Sequence, residues 1–87
     1  GMFKNIKEED GTVANQILEI DLCRVTTSNK TIFITQTGQQ QLDISIYTYT
    51  GQLLYKQSTT APVLSFPVDP GHYIIRINSK SYKISCS

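Results

Sequence analysis

Residues 42–48 read Leu-Asp-Ile-Ser-Ile-Tyr-Thr, and their alternation decides the fold. Leu42, Ile44 and Ile46 fall on one side and Asp43, Ser45 and Tyr47 on the other, the period of two that a half-buried β-strand requires. A helix would need apolar residues three and four positions apart. That spacing is sustained nowhere in the chain. On both sides of this stretch, short apolar runs recur every 8–12 residues with turn residues between them, the pattern of a β-sandwich or barrel.

Seven strands are expected. They are Ile17–Cys23, Thr31–Gln36, Leu42–Thr48, Gln52–Gln57, Val63–Val68, His72–Asn78 and Ser81–Cys86. Thr26–Lys30 is expected as a loop, Thr48–Gly51 as a turn in which Gly51 takes positive φ, and Ser79-Lys80 as a two-residue hairpin. Pro67 cannot donate to a ladder, so the fifth strand is expected either at a sheet edge or with an irregular end. The expected partition puts the first, second and fifth strands in one sheet. The fourth, third, sixth and seventh form the other, with the third and sixth central. The expected core takes Leu18, Ile20, Leu22, Ile32 and Ile34 from the first two strands. Leu42, Ile44, Ile46, Leu54, Leu64 and Phe66 follow, then Tyr73, Ile75, Ile77, Tyr82 and Ile84.

Composition agrees. Eleven Ile and five Tyr against two Ala and six Leu favour a pleated surface over a helix. Charged residues make up only 17%, and Ser, Thr and Gln supply twenty-five positions, so the surface is neutral and hydroxylic, as in many extracytoplasmic β-modules. Eighty-seven residues allow one domain with a thin core. Residues 17–87 carry that domain, behind a flexible lead-in over 1–16 with an optional short strand at Thr12–Ala14. Gly1 before Met2 reads as the remnant of an expression tag. With a net charge of +1 and scattered lysines, no basic face suited to nucleic acid is expected. No apolar run approaches the ~18 residues that span a bilayer.

The stretch 42–55 is followed, after a variable loop, by Leu64-Ser-Phe-Pro-Val-Asp-Pro-Gly-His-Tyr-Ile-Ile-Arg-Ile. Together these resemble the C-terminal β-sandwich modules of Bacteroidetes. The resemblance rests on Gly51, Gly71, Tyr73, Ile75 and Ile77 and covers about half the chain. Two groups share the pattern: the type IX secretion C-terminal sorting domain, and a domain-of-unknown-function family of small secreted proteins. The end of the chain, Lys83-Ile-Ser-Cys-Ser87, departs from the basic tail usual in sorting domains, so the resemblance favours the small secreted family. It implies an immunoglobulin-like, fibronectin III-like sandwich, extracytoplasmic location with a signal peptide already removed, and no catalysis.

Few residues invite chemistry. One His and two distant Cys give no metal-ligand spacing, and no cofactor is expected. His72, at a strand start, reads as an exposed turn residue. No nucleophile, base and orienter are brought together, and no pair of carboxylates faces across a cleft, so no enzyme is expected. Asn29-Lys30-Thr31 fits the N-glycosylation pattern by chance, and Gln39–Gln41 reads as loop filler. Cys23 and Cys86 would close a loop of 62 residues if bridged, worth roughly 4 kcal/mol in the chain-entropy picture. The alternation, however, puts Cys23 on the polar face with Glu19 and Asp21 while Cys86 points inward, so two independent thiols are expected unless a bulge intervenes.

The candidate binding surface is Tyr47, Tyr49 and Tyr55, grouped around one hairpin, where exposed aromatics can stack on sugar rings or anchor a protein; paired tyrosines can equally just stabilise a sheet. The functional expectation is a secreted or periplasmic interaction module with an unknown protein or glycan partner. A sheet edge could recruit that partner by adding a strand. Two alternatives stand beside it: a sorting or anchoring domain of a larger exported protein, and a carbohydrate-binding module.

Overall fold

The computed structural model describes residues 17–20 and 23–87. The lead-in expected over 1–16, and Leu22 of the expected core, lie outside the described residues. The described chain is all-β. Its strands are β1 (Ile17–Ile20), β2 (Cys23–Ser28), β3 (Thr31–Thr35), β4 (Leu42–Thr48), β5 (Leu53–Thr59), β6 (Val63–Pro67), β7 (Gly71–Ile77) and β8 (Lys80–Cys86). They form two four-stranded antiparallel sheets, β1-β2-β3-β6 and β5-β4-β7-β8, arranged as a β-sandwich.

The expected partition between sheets is the observed one, with one strand added. The single strand expected over Ile17–Cys23 is the beginning of a hairpin: Ile20 lies directly opposite Cys23, and the chain reverses between them. Directly opposed residues share a face, so Cys23 falls on the same side as Ile20. Continuous alternation would have put it on the other side. Val25 and Thr27 then follow Cys23 inward, and Thr26–Ser28, expected as loop, complete β2. The loop shrinks to Asn29-Lys30, both at positive φ (51° and 59°). Two consecutive positive-φ residues give the hairpin turn whose twist matches the flanking strands. The β7–β8 hairpin is also displaced by one residue. Ile77 pairs with Lys80, so its loop is Asn78-Ser79, with Asn78 at φ 56°. Asn78 is pinned there by its own amide donating to the Asp43 carbonyl (2.8 Å) and its Oδ1 accepting from the Asp43 amide (3.1 Å). Gly51 has φ 100° in the β4–β5 turn, and β6 lies at a sheet edge with Pro67 as its last residue.

Ile32, Ile34, Leu42, Ile44, Ile46 and Ile75 are fully buried between the sheets with Val25 and Cys86. Leu64, Phe66, Val68, Tyr73, Ile77 and Ile84 complete the core, and Leu18, Ile20 and Tyr82 pack on it half-buried. Leu54, expected inside, is 39% exposed. The cause is a β-bulge: Ile46 pairs with Tyr55 and Tyr47 with Leu53, so Leu54 has no opposite number. A bulged residue is turned out of the pleat.

Polar bonds close the sandwich at its margins. The buried Thr27 hydroxyl donates to the Ser85 carbonyl (2.7 Å), joining β2 to β8. The Lys30 amide donates to the Ser87 carbonyl (2.8 Å), and the Val68 amide to the Lys30 carbonyl (3.0 Å). Between β5 and β6, Tyr55 reaches across and donates its hydroxyl proton to the Pro67 carbonyl (2.6 Å). Tyr73, 7% exposed, donates its hydroxyl to the Asp69 carbonyl four residues upstream, which locks the loop between β6 and β7 onto the start of β7.

Candidate functional site

The outer face of the β5-β4-β7-β8 sheet is set by the same alternation that fills the core. Because Leu42, Ile44 and Ile46 point inward, Asp43, Ser45 and Tyr47 point out, and the register carries their rows across all four strands. Leu53, Tyr47, Ile74 and Lys83 form one row. Lys56, Ser45, Arg76 and Ser81 form the next. Beyond them the Ser58 hydroxyl donates to the carboxylate of its cross-strand partner Asp43. At the other end Tyr49, 55% exposed, lies with its ring 5.8 Å from that of His72 and with the Lys83 ammonium 5.7 Å from its centroid. Cations in that position are attracted to the face of an aromatic ring.

The two rows produce an apolar strip beside a cationic notch. Ser45, a short side chain, sits between the long side chains of Lys56 and Arg76. Around it is a shallow depression of about 350 Å³, walled by Tyr47 on one side and by Asp43, Ser58 and Asn78 on the other. Arg76 is oriented by donating Nε–H to the Asn78 carbonyl (3.2 Å). The face carries Lys56, Arg76 and Lys83 against the single carboxylate Asp43. Among the described residues the one ion pair is Glu19–Arg24 (2.6 Å), on the outer face of the other sheet. No described carboxylate pairs with the three cations.

Of the three tyrosines singled out in the sequence, Tyr47 and Tyr49 share this face and Tyr55 does not. Tyr55 is opposite Ile46, on the inward side; its ring lies 5.2 Å from that of Phe66 and its hydroxyl is taken by Pro67. It is a half-buried strut between the sheets, on the wall of a concavity at one end of the sandwich. Leu53, Lys56, Ile74, Arg76 and Lys83 were not singled out, because only the register of four strands brings them together. Their signals in the sequence are the doublets Leu53-Leu54 and Ile74-Ile75, each of which turns one apolar side chain outward in an alternating strand.

Cys23 and Cys86 are both free thiols, and both are buried. The polar-face placement expected for Cys23 is corrected by the reversal at the start of β2. The two sulfurs belong to opposite ends of the sandwich. Cys23 starts β2, whereas Cys86 follows Ser85, which is bonded to Thr27 four residues further along. Four residues of strand span roughly 13 Å, well beyond the ~7 Å limit on Cα separation for a disulfide. Burial raises the pKa of the Cys23 thiol above its ordinary value, so it stays protonated. The Cys86 Sγ lies 3.6 Å from the Thr31 carbonyl.

Among the described residues there is no group of three or more His, Cys, Asp and Glu side chains that could hold a metal ion. No helix of the described residues is long and apolar enough to cross a membrane. A second concavity, about 570 Å³, opens at one end of the sandwich where Leu54 and Tyr55 face Lys30, Val68, Asp69 and Tyr73. The Tyr55 and Tyr73 hydroxyls there are engaged by backbone carbonyls. No protein-family model, curated protein or solved structure matches the chain.

Proposed function

We propose that this chain is a non-catalytic interaction module of the immunoglobulin-like, fibronectin III-like kind, acting outside the cytoplasm and docking its partner on the outer face of the β5-β4-β7-β8 sheet. Two features support the fold assignment. With β1 set aside, three strands (β2-β3-β6) face four (β5-β4-β7-β8), the strand order of a fibronectin III-like sandwich. The Tyr73 hydroxyl bonded to the backbone just before β7 has the geometry of the tyrosine corner that marks such sandwiches. The neutral, hydroxyl-rich composition and the resemblance to small secreted Bacteroidetes modules support export.

The observation that carries the docking assignment is the row Leu53, Tyr47, Ile74 and Lys83 beside Lys56 and Arg76. Leu53 is 48% exposed and lies next to the half-buried Tyr47 and near cations that no described carboxylate pairs. Aromatic anchors with Arg are the side chains on which binding energy concentrates. Strand addition is the weaker option. Pro67 lies on the β6 edge, β8 is tied to the other sheet through Ser85, and the bulge breaks the regularity of β5.

The test is site-specific photocrosslinking in cells that naturally make the chain. A crosslinker at Ile74 should give a discrete adduct that is lost when Leu53→Asp is added. One at Thr35, on the other outer face, should give none. Equal crosslinking from both faces, or none from Ile74, contradicts the assignment.

A further inference from the structure

We infer that the partner of this face is a linear anionic polysaccharide, with one carboxylate seated over Ser45 between Lys56 and Arg76 and adjacent sugar rings lying on Tyr47, Leu53 and Ile74. The inference rests on the interaction-module reading and names its ligand class. Three observations carry it: size, charge and shape.

Seven-residue strands rising ~3.3 Å per residue, four abreast at ~4.8 Å, make a face of only about 300–400 Å². A stable protein interface needs roughly 800 Å² from each partner. A second copy of this chain, or another folded protein, would therefore have to overrun the face onto unrelated loops. A short run of sugar residues fits within it.

The charge is complementary to an acid. Lys56 and Arg76 are each directly opposite Ser45 on the two strands flanking β4, so they stand about 9–10 Å apart. Two long cationic side chains rooted at that spacing can both reach one carboxylate above the small serine, and the guanidinium can offer paired N–H donors. Asp43, the acid on this face among the described residues, lines one wall of the notch and accepts a hydrogen bond from Ser58, so two cations stand there against one engaged carboxylate. Lys83 ends the row that holds Tyr47 and Ile74 and extends its ammonium over Tyr49, in place for a second acid group further along the chain. A neutral glycan would leave all three cations unused.

The shape separates a glycan from an acidic peptide. The face is a flat strip with one shallow notch. It has no deep groove for peptide side chains, and the edges that border it are the bulged β5 and the tied β8, both poorly suited to β-addition. A tyrosine ring is an amphipathic platform that suits the C–H face of a pyranose and the hydroxyls around it.

The experiment is a 1H–15N NMR titration of the intact chain with tetragalacturonate, a neutral glucose tetramer and a glutamate tetrapeptide. Tetragalacturonate should shift Ser45, Tyr47, Lys56, Ile74 and Arg76. Lys56→Ser and Arg76→Ser should each weaken it roughly tenfold or more, the usual loss for one charge-assisted contact. Arg24→Ser removes the same charge from the opposite face and should leave affinity unchanged. Equal binding of the neutral tetramer or the peptide, or equal weakening by Arg24→Ser, overturns the inference. If none of the three probes shifts the sheet, the glycan assignment falls by itself. The crosslinking at Ile74 then decides separately whether the face docks anything.

Discussion

Removing the hydroxyl of Tyr73 isolates one hydrogen bond with little other disturbance. Tyr73 is 7% exposed, packs in the core through its ring, and donates to the Asp69 carbonyl. Phenylalanine keeps the ring, so Tyr73→Phe leaves no cavity and the loss is confined to the bond. Such a bond is worth about 0.5–1.5 kcal/mol, and Asp69 is exposed enough for water to take over at its carbonyl. For a domain of this size each kcal/mol moves Tm by about 4–8 °C, so the variant should melt roughly 5 °C lower with an unchanged urea m-value. The pH dependence supplies an independent check. Burial chiefly, then the charges of Asp69, Cys86 and Tyr55, raise the Tyr73 pKa above its ordinary value of 10.0. The folded state then holds this proton more tightly than the unfolded state. Its contribution is fully present below pH 10.0 and is lost as pH rises toward the folded-state pKa. The wild-type chain should therefore lose more stability than Tyr73→Phe between pH 9.5 and 11, as followed by circular dichroism during urea unfolding. A Tm within 1 °C of wild type, or identical alkaline losses in both proteins, would refute the reasoning.

Further outcomes follow from burial and register. Ile44→Ala, at a fully buried site, should cost about 2–5 kcal/mol, whereas Leu54→Ala, at the bulge, should cost under about 1 kcal/mol. Chemical denaturation of the two variants checks the bulge, because equal costs would return Leu54 to the core. Neither Cys23 nor Cys86 should react with a thiol reagent at pH 8 until denaturant is added, and the intact mass without reductant should be that of the dithiol. Rapid labelling of Cys23 in the folded chain would place it back on the polar face.

Much of the sandwich is legible in the residues because β3, β4, β6 and β7 each have one apolar face. Leu42, Ile44 and Ile46 specify which side of β4 is buried, and Ile75 and Ile77 do the same for β7. The errors have local physical causes. Leu18, Ile20 and Leu22 alternate without interruption, so nothing in the pattern marks the reversal before Cys23, and Thr27 does not look like a core residue until its hydroxyl finds Ser85. The Asn29-Lys30 turn lacks the glycine that usually advertises positive φ. Tyr55 was grouped with Tyr47 because both flank one hairpin. The bulge at Leu54 separates them, and alternation cannot reveal an inserted residue. The binding face was half legible. Tyr47 could be placed outward from its own strand, but its neighbours come from three other strands, and only the cross-strand register identifies them.

That register is open to direct measurement. Opposed side chains in an antiparallel pair stand about 4.5–5.5 Å apart at Cβ, within range of a nuclear Overhauser effect. On methyl- and aromatic-labelled protein, the Tyr47 ring should show cross-peaks to the methyls of both Leu53 and Ile74, while the Tyr55 ring shows its cross-peaks to Phe66. A Tyr55 ring that contacts Tyr47 or Leu53 and not Phe66 would dissolve the row on which the docking face depends.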